Sequence, residues 1–236
     1  KRARRQLGLI QRPAHEFQSA RIASDAHVAG LTTGKAGILH LHLGDGARGL
    51  EFVRRALDET ELPPRTFNPT HVNRRRALFD EAIDLAGRGS VVDITAFPVE
   101  EGEDAWSAED ALTRYLDSGA PRGNVTVSSD GGGCLPVFDE QGELVSMDIG
   151  APGNLSAALT ALLDAGAALE DVLPAFTENV ARLLRLHDRG RVIINGAADF
   201  IVLDENNRVH DVMLGGRWHV KAGEAVVLGS FDKATQ

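Results

Sequence analysis

The chain has 236 residues, enough for one large domain or one and a half ordinary ones, and its 43% hydrophobic and 25% charged residues match soluble globular proteins. A formal charge of −9 excludes the basic face that nonspecific nucleic-acid binding needs. A single cysteine, Cys134, excludes an internal disulfide framework and suits a reducing, cytoplasmic setting, and no apolar run is long enough to span a bilayer.

Residues 1–12 are a basic, irregular lead, read as a solvated terminus or the remnant of a strand; no long apolar segment follows to make it a signal peptide. Over 13–28, Phe17, Ile22, Ala23 and Ala26 recur at helical spacing, and Gly30 is the expected stop. Residues 37–45 then read Gly-Ile-Leu-His-Leu-His-Leu-Gly-Asp. As a strand, their two-residue period puts His40 and His42 on one face, either as ligands or as hydrogen-bonded core histidines.

A helix over 48–57 is broken by Pro63 and Pro64, and a second short strand leads to His71. Asn73 is placed to cap a helix reaching residue 86, with Leu78, Phe79, Ala82, Ile83 and Leu85 on its buried side. Residues 90–96 form an apolar, β-branched strand. Ser107-Ala-Glu-Asp opens the next helix as a capping box, and that helix ends near Gly119. A strand over 124–128 delivers Asp130 into Gly131, Gly132 and Gly133, and helices follow over 154–165 and 169–186.

Four strands alternating with helices, at about the 30-residue spacing of a βαβ unit, predict a parallel α/β fold. The last segments, 191–203 and 208–228, read as short strands of a small antiparallel layer, with turn signals at Asn206-Asn207 and Gly215-Gly216.

His42, His71 and Asp130 each follow or close a strand, and the carboxyl ends of parallel strands form the functional face of a barrel or open sheet. Imidazole nitrogen and carboxylate oxygen are zinc ligands, and catalytic zinc keeps a position open for water. Coincidence is the competing reading, because the chain holds eight histidines. Arg74, Arg75 and Arg76 open a helix whose dipole is already positive there, so an anion is expected. A substrate carboxylate on Arg74 and the free helix amides would supply it, with Arg75 and Arg76 extending into water. The triple-glycine turn allows backbone to approach a ligand, and Cys134 reads as a small packing residue.

Motifs in a fixed order carry a family resemblance: His-Leu-Gly-Asp at 42–45, Pro-Thr-His-Val-Asn-Arg at 69–74, Val-Asp-Ile-Thr at 92–95 and Ser-Ser-Asp-Gly at 128–131. With the tail motif Gly-Ala-Ala-Asp-Phe-Ile-Val-Leu-Asp at 196–204, the chain from about residue 13 resembles the isoaspartyl (β-aspartyl) dipeptidases of the amidohydrolase superfamily. The resemblance implies a TIM-type (β/α)8 barrel, of which this chain carries about the last four β/α units, followed by a small antiparallel β layer. The expected division is the lead at 1–12, the partial barrel at 13–188 and a returning β-sandwich segment at 189–236.

The same resemblance implies two zinc ions per site and hydrolysis of isoaspartyl dipeptides by metal-activated water. His42 and His71 would bind one zinc. Asp130 would bind the other and carry the proton from the bridging hydroxide to the leaving amine, while Arg74 would hold a substrate carboxylate. Cys134 stands where some relatives place a substrate-contacting serine. The family's His-x-His pair belongs upstream of Lys1, and Lys1 is the one candidate for its carbamylated bridging lysine. The expected partners are therefore the dipeptide and a second copy or other chain that covers the open barrel edge. The alternatives are a non-catalytic remnant or interaction module of the same fold, and another amidohydrolase specificity, for a cyclic amide or an acetylated substrate.

Overall fold

In a computed structural model of the chain, residues 14–139, 141 and 143–229 are described. The basic lead, with Lys1, lies outside the described residues.

Strands β1 (Leu39–His42), β2 (Phe67–Thr70), β3 (Val92–Thr95) and β4 (Val125–Ser128) are hydrogen-bonded in that order, all parallel. Period-two alternation gives the sheet two different faces. Phe67, Val92, Ile94, Val125 and Val127 are buried on the outer face. They join one core with Val53 and Ala56 of helix α2 (Glu51–Glu59), Leu78, Phe79, Ala82 and Leu85 of α3 (Arg76–Gly87), and Ala111, Leu112 and Tyr115 of α4 (Ala108–Asp117). The inner face is polar throughout: His40, His42, Asn68, Thr70, Asp93, Thr95, Thr126 and Ser128 lie side by side in register. An apolar outside holds the helices, and a polar inside is left for chemistry.

Helix α1 (Ala14–Thr33) runs past Gly30, the expected stop. Gly30 is instead a close-approach site: a Cβ there would lie 2.5 Å from the Cα of Gly37, where the chain turns back along the helix. Helix α2 begins three residues later than expected, and the amide of its N-cap residue is served from outside: Glu81 of α3 accepts from the Leu50 N–H at 3.0 Å and pairs with Arg54.

Asn73 does not cap α3. It sits in a 3-10 turn, Val72–Arg74, with its side chain buried. Its Nδ2 donates to the carbonyls of Thr95 (3.0 Å) and Trp106 (2.8 Å), and its Oδ1 accepts from the Thr95 N–H at 2.9 Å. Three backbone groups, two of them on buried Thr95, outcompete a cap, so the helix starts at Arg76. Ser107 does cap α4, its Oγ accepting from the Asp110 N–H at 3.2 Å.

After β4 the chain forms a hairpin the sequence reading did not foresee, β5 (Cys134–Phe138) paired antiparallel with β6 (Leu144–Ile149). Helix α5 (Asn154–Asp164) follows as expected. The helix expected over 169–186 is broken into α6 (Leu169–Phe176) and α7 (Glu178–Leu183). Pro174 cannot donate within the helix, and Asn179, buried, donates to the carbonyls of Arg122 and Val125 at the start of β4, which redirects the second half.

The C-terminal strands form a separate antiparallel sheet: β7 (Phe200–Leu203), β8 (Val209–Leu214), β9 (Arg217–Lys221) and β10 (Glu224–Ala225), in the order β10-β9-β8-β7. The first strand is shorter than expected, because residues 191–199 run irregularly before it. Gly215 and Gly216, at φ 56 and 79°, turn β8 into β9. Among the described residues no helix is long and apolar enough to cross a membrane.

Candidate metal centre

His42 is the last residue of β1, His71 follows β2 directly, and Asp130 lies two residues beyond β4, so all three stand at the carboxyl end of the parallel sheet. His71 (φ 63°) and Asp130 (φ 48°) adopt left-handed backbone, sparsely populated for residues with a Cβ, so their surroundings must hold them there. For Asp130 the hairpin does this: a Cβ on Gly133 would meet the Asp130 carboxyl carbon at 2.8 Å, and one on Gly150 its carbonyl oxygen at 2.3 Å. The Gly133 N–H donates to that carbonyl at 2.9 Å, and Gly150 N–H donates back to Gly133 O at 2.9 Å.

The donors converge. His42 Nδ1 lies 2.9 Å from His71 Nε2, which lies 3.9 Å from Asp130 Oδ2, and the three ligand atoms all fall within 4.8 Å of one another. Two ligands about 2.0–2.1 Å from one tetrahedral zinc stand roughly 3.3 Å apart, a separation these distances bracket. The His71 side chain is 5% exposed and its pKa is pushed down to about 3, first by burial, then by His42, Arg74 and His40. A neutral imidazole with a lone pair on Nε2 is the form that ligates metal. Asp130, with its side chain 20% exposed, adds an anion open to a small molecule. The donor set fits a divalent cation.

His40 takes the other of the two roles open to it. Its Nδ1 is 2.6 Å from Asn68 Oδ1, and Asn68 Nδ2 donates to the Val91 carbonyl at 2.7 Å, so His40 is a hydrogen-bonded neighbour of the centre.

No protein-family model matches the chain. Among solved structures it superposes on the β-aspartyl dipeptidase of Fervidobacterium islandicum AW-1 in complex with a β-Asp-Leu dipeptide, with a TM-score of 0.82 and 34% identity over 91% of this chain. A second structure of a β-aspartyl dipeptidase from the same organism gives 0.78 and 31% over 91%. The chain belongs to the β-aspartyl dipeptidase family. It spans 56% and 54% of those two chains. More distantly, an adenosine deaminase from Xanthomonas campestris with bound zinc shares the fold, at a TM-score of 0.54 and 16% identity over 91% of this chain and 51% of the other. An amidohydrolase from Thermotoga maritima does so at 0.52 and 15%, over 88% and 54%. The four parallel β/α units are thus an arc of a TIM-type barrel, with the antiparallel sheet as a separate layer.

Within this dipeptidase fold, the anion expected near Arg74 is part of the chain. Arg74 Nε and Nη2 donate to the two carboxylate oxygens of Asp45 at 2.8 and 3.0 Å, and Nη1 donates to the Leu43 carbonyl at 2.6 Å. Arg74 stands in the 3-10 turn before α3, so a fork-on-fork ion pair replaces the helix-end site the sequence suggested. Arg75 and Arg76 do more than extend into water. Arg75 Nη1 reaches the Asp45 and Gly46 carbonyls at 3.4 Å, and the Arg76 guanidinium lies 4.3 Å from the Trp106 ring centre, on which Arg114 also stacks at 3.6 Å. Cys134 is a free, exposed thiol at the start of β5.

Sequence reasoning missed Asp93. This carboxylate is buried on the inner face and accepts three hydroxyls: Thr70 (2.6 Å) and Ser128 (2.6 Å) on Oδ2, and Thr126 (2.5 Å) on Oδ1. Burial raises its pKa, and the three hydroxyls act in the opposite direction. An acid in the middle of an apolar strand, Val-Asp-Ile-Thr, was the signal that could have found it.

Proposed function

We propose that this chain carries the metal-binding and proton-transferring part of a zinc-dependent hydrolase of β-aspartyl dipeptides. The observation that carries the reading is the convergence of His42, His71 and Asp130 at the carboxyl ends of three parallel strands, in a chain 34% identical to a dipeptidase crystallised with β-Asp-Leu.

His42, His71 and Asp130 hold the zinc, which when bound lowers the pKa of water and polarises a carbonyl oxygen. His71 is kept neutral and its Nε2 faces the other two donors. Asp130 is the half-buried carboxylate of the group; it takes the proton from the attacking water and returns it to the leaving amine, acting as general base and then as general acid. Arg74 stands at the same end of the sheet and is the residue assigned to a carboxylate of the substrate, which would engage it in exchange for the Asp45 carboxylate that holds it here. Cys134 is the residue of β5 assigned to line the substrate side.

The test is release of leucine from β-Asp-Leu by the purified chain with and without zinc. Zinc-dependent turnover, lost in Asp130→Asn, supports the reading. Background turnover by a chain that has bound zinc overturns the dipeptide assignment.

A further inference from the structure

The inner face of the barrel arc holds two groups that belong to no ligand set yet are wired to it. Asp93 Oδ2 accepts from Thr70 Oγ1 and from Ser128 Oγ, each at 2.6 Å. Thr70 is the residue immediately before His71, and Ser128 is the last residue of β4, two before Asp130. One carboxylate oxygen therefore ties together the ends of the two strands that carry His71 and Asp130. Distances of 2.5–2.6 Å at both oxygens are those of hydroxyls donating to an ionised carboxylate.

Thr95 is the second group. Its Oγ1 lies 2.8 Å from His71 Nδ1 and 3.4 Å from Thr70 Oγ1. The hydroxyl proton of Thr70 is committed to Asp93, so Thr70 can only accept from Thr95. With its own proton directed there, Thr95 would accept the Nδ1–H of His71. That leaves Nε2 as the acceptor nitrogen, aimed at His42 Nδ1 and Asp130 Oδ2. The backbone of Thr95 is clamped in turn, its N–H and C=O both bonded to Asn73, two residues past His71. His71, in its left-handed conformation, is thus held from the residue before it, from the turn after it and through its ring.

The geometry points to Asp93 and Thr95 as positioning residues of the metal centre: Asp93 sets the spacing of His71 and Asp130, and Thr95 fixes the His71 ring in its Nδ1–H tautomer. This inference rests on the metal-hydrolase reading above and names what prepares that site. Outer partners of ligating histidines act in this way, fixing ring orientation and tautomer.

The experiment has two independent arms on the full chain. In the first, zinc affinity is measured by competition with a chromogenic chelator for the wild type, Thr95→Val, Thr95→Ser and Asp93→Asn, with Thr126→Val as a control for losing a buried hydroxyl that bonds the other Asp93 oxygen and the Val92 carbonyl. Thr95→Val and Asp93→Asn are expected to bind zinc about 10- to 100-fold more weakly. Thr95→Ser, which keeps the hydroxyl, and Thr126→Val should bind as the wild type does. If Asp93→Asn does not fold, the Thr95→Val and Thr95→Ser pair decides this arm. Wild-type affinity in folded Thr95→Val overturns the proposal.

In the second arm, nitrogen-15 and carbon-13 NMR reports the His71 tautomer of the metal-free chain. The expected result is a proton on Nδ1 in the wild type and in Thr95→Ser, with a change in Thr95→Val. A proton on Nε2 in the wild type overturns the proposal. A wild-type chain that binds no zinc defeats the metal reading, while the NMR arm still decides the role of Thr95.

Discussion

The buried clamp at Asn73 separates two explanations of one residue by magnitude. If Asn73 were a helix cap, replacing it would cost about 1 kcal/mol. In the fold it instead serves the Thr95 N–H, the Thr95 carbonyl and the Trp106 carbonyl, at 2.9, 3.0 and 2.8 Å. At a net ~1 kcal/mol per hydrogen bond, Asn73→Ala loses about 3 kcal/mol. For a chain of this length that corresponds to a melting temperature lower by roughly 6–12 °C. Urea unfolding of the wild type, Asn73→Ala and Asn73→Ser, followed by circular dichroism at neutral pH, measures it. Serine is as good a cap as asparagine but cannot reach all three groups, so Asn73→Ser should be destabilised nearly as much as Asn73→Ala. A loss of about 1 kcal/mol for alanine with full recovery by serine would refute the clamp and restore the cap.

Other outcomes follow from the same structure. Gly150→Ala places a methyl 2.3 Å from the Asp130 carbonyl and should cost about 1–3 kcal/mol and weaken metal binding. Gly153→Ala, with nothing within 4 Å, should be neutral or slightly stabilising in the same unfolding assay. Asp211 has its pKa held down by the hydrogen bond from Lys221 and by the Ala222 N–H, so its contribution is present above the unfolded value near 3.9 and is lost as pH falls through the lower folded value. Below about pH 4, stability of the wild type should therefore fall more steeply than that of Asp211→Asn, as read from urea midpoints; parallel pH profiles would remove this contribution. The Arg122–Asp171 pair is exposed at both ends, and Arg122→Ala should change stability by less than about 1 kcal/mol.

Much of this fold was legible in the sequence because its signals are local. The β-branched run at 90–96, the proline break at 63–64 and the serine cap at 107 each act within a few residues, and they delimit the β/α units correctly. The convergence of His42, His71 and Asp130 was legible for a topological reason: parallel strands bring their carboxyl ends together whatever the loop lengths.

What escaped the sequence depends on partners far along the chain. Asn73 resembles a cap until Thr95 and Trp106 are placed beside it. Arg74 calls for an anion, but that the anion is Asp45 follows only from the pairing of β1 with β2. Residues 134–149 offered Leu-Pro-Val-Phe and Leu-Val-Ser-Met-Asp-Ile around a polar turn, a hairpin signal overshadowed by the glycines before it. Gly133 read as part of a turn that brings backbone to a ligand, whereas in the fold Gly133 and Gly150 leave the space that Asp130 occupies.

The central claim is that His42, His71 and Asp130 form a metal centre, and metal content tests it most directly. After growth with zinc and removal of loosely bound ions, elemental mass spectrometry of the purified chain should find at least about one zinc per chain, lost in His42→Ala and Asp130→Asn. A wild-type chain without zinc, or equal zinc in the wild type and both variants, would contradict the account.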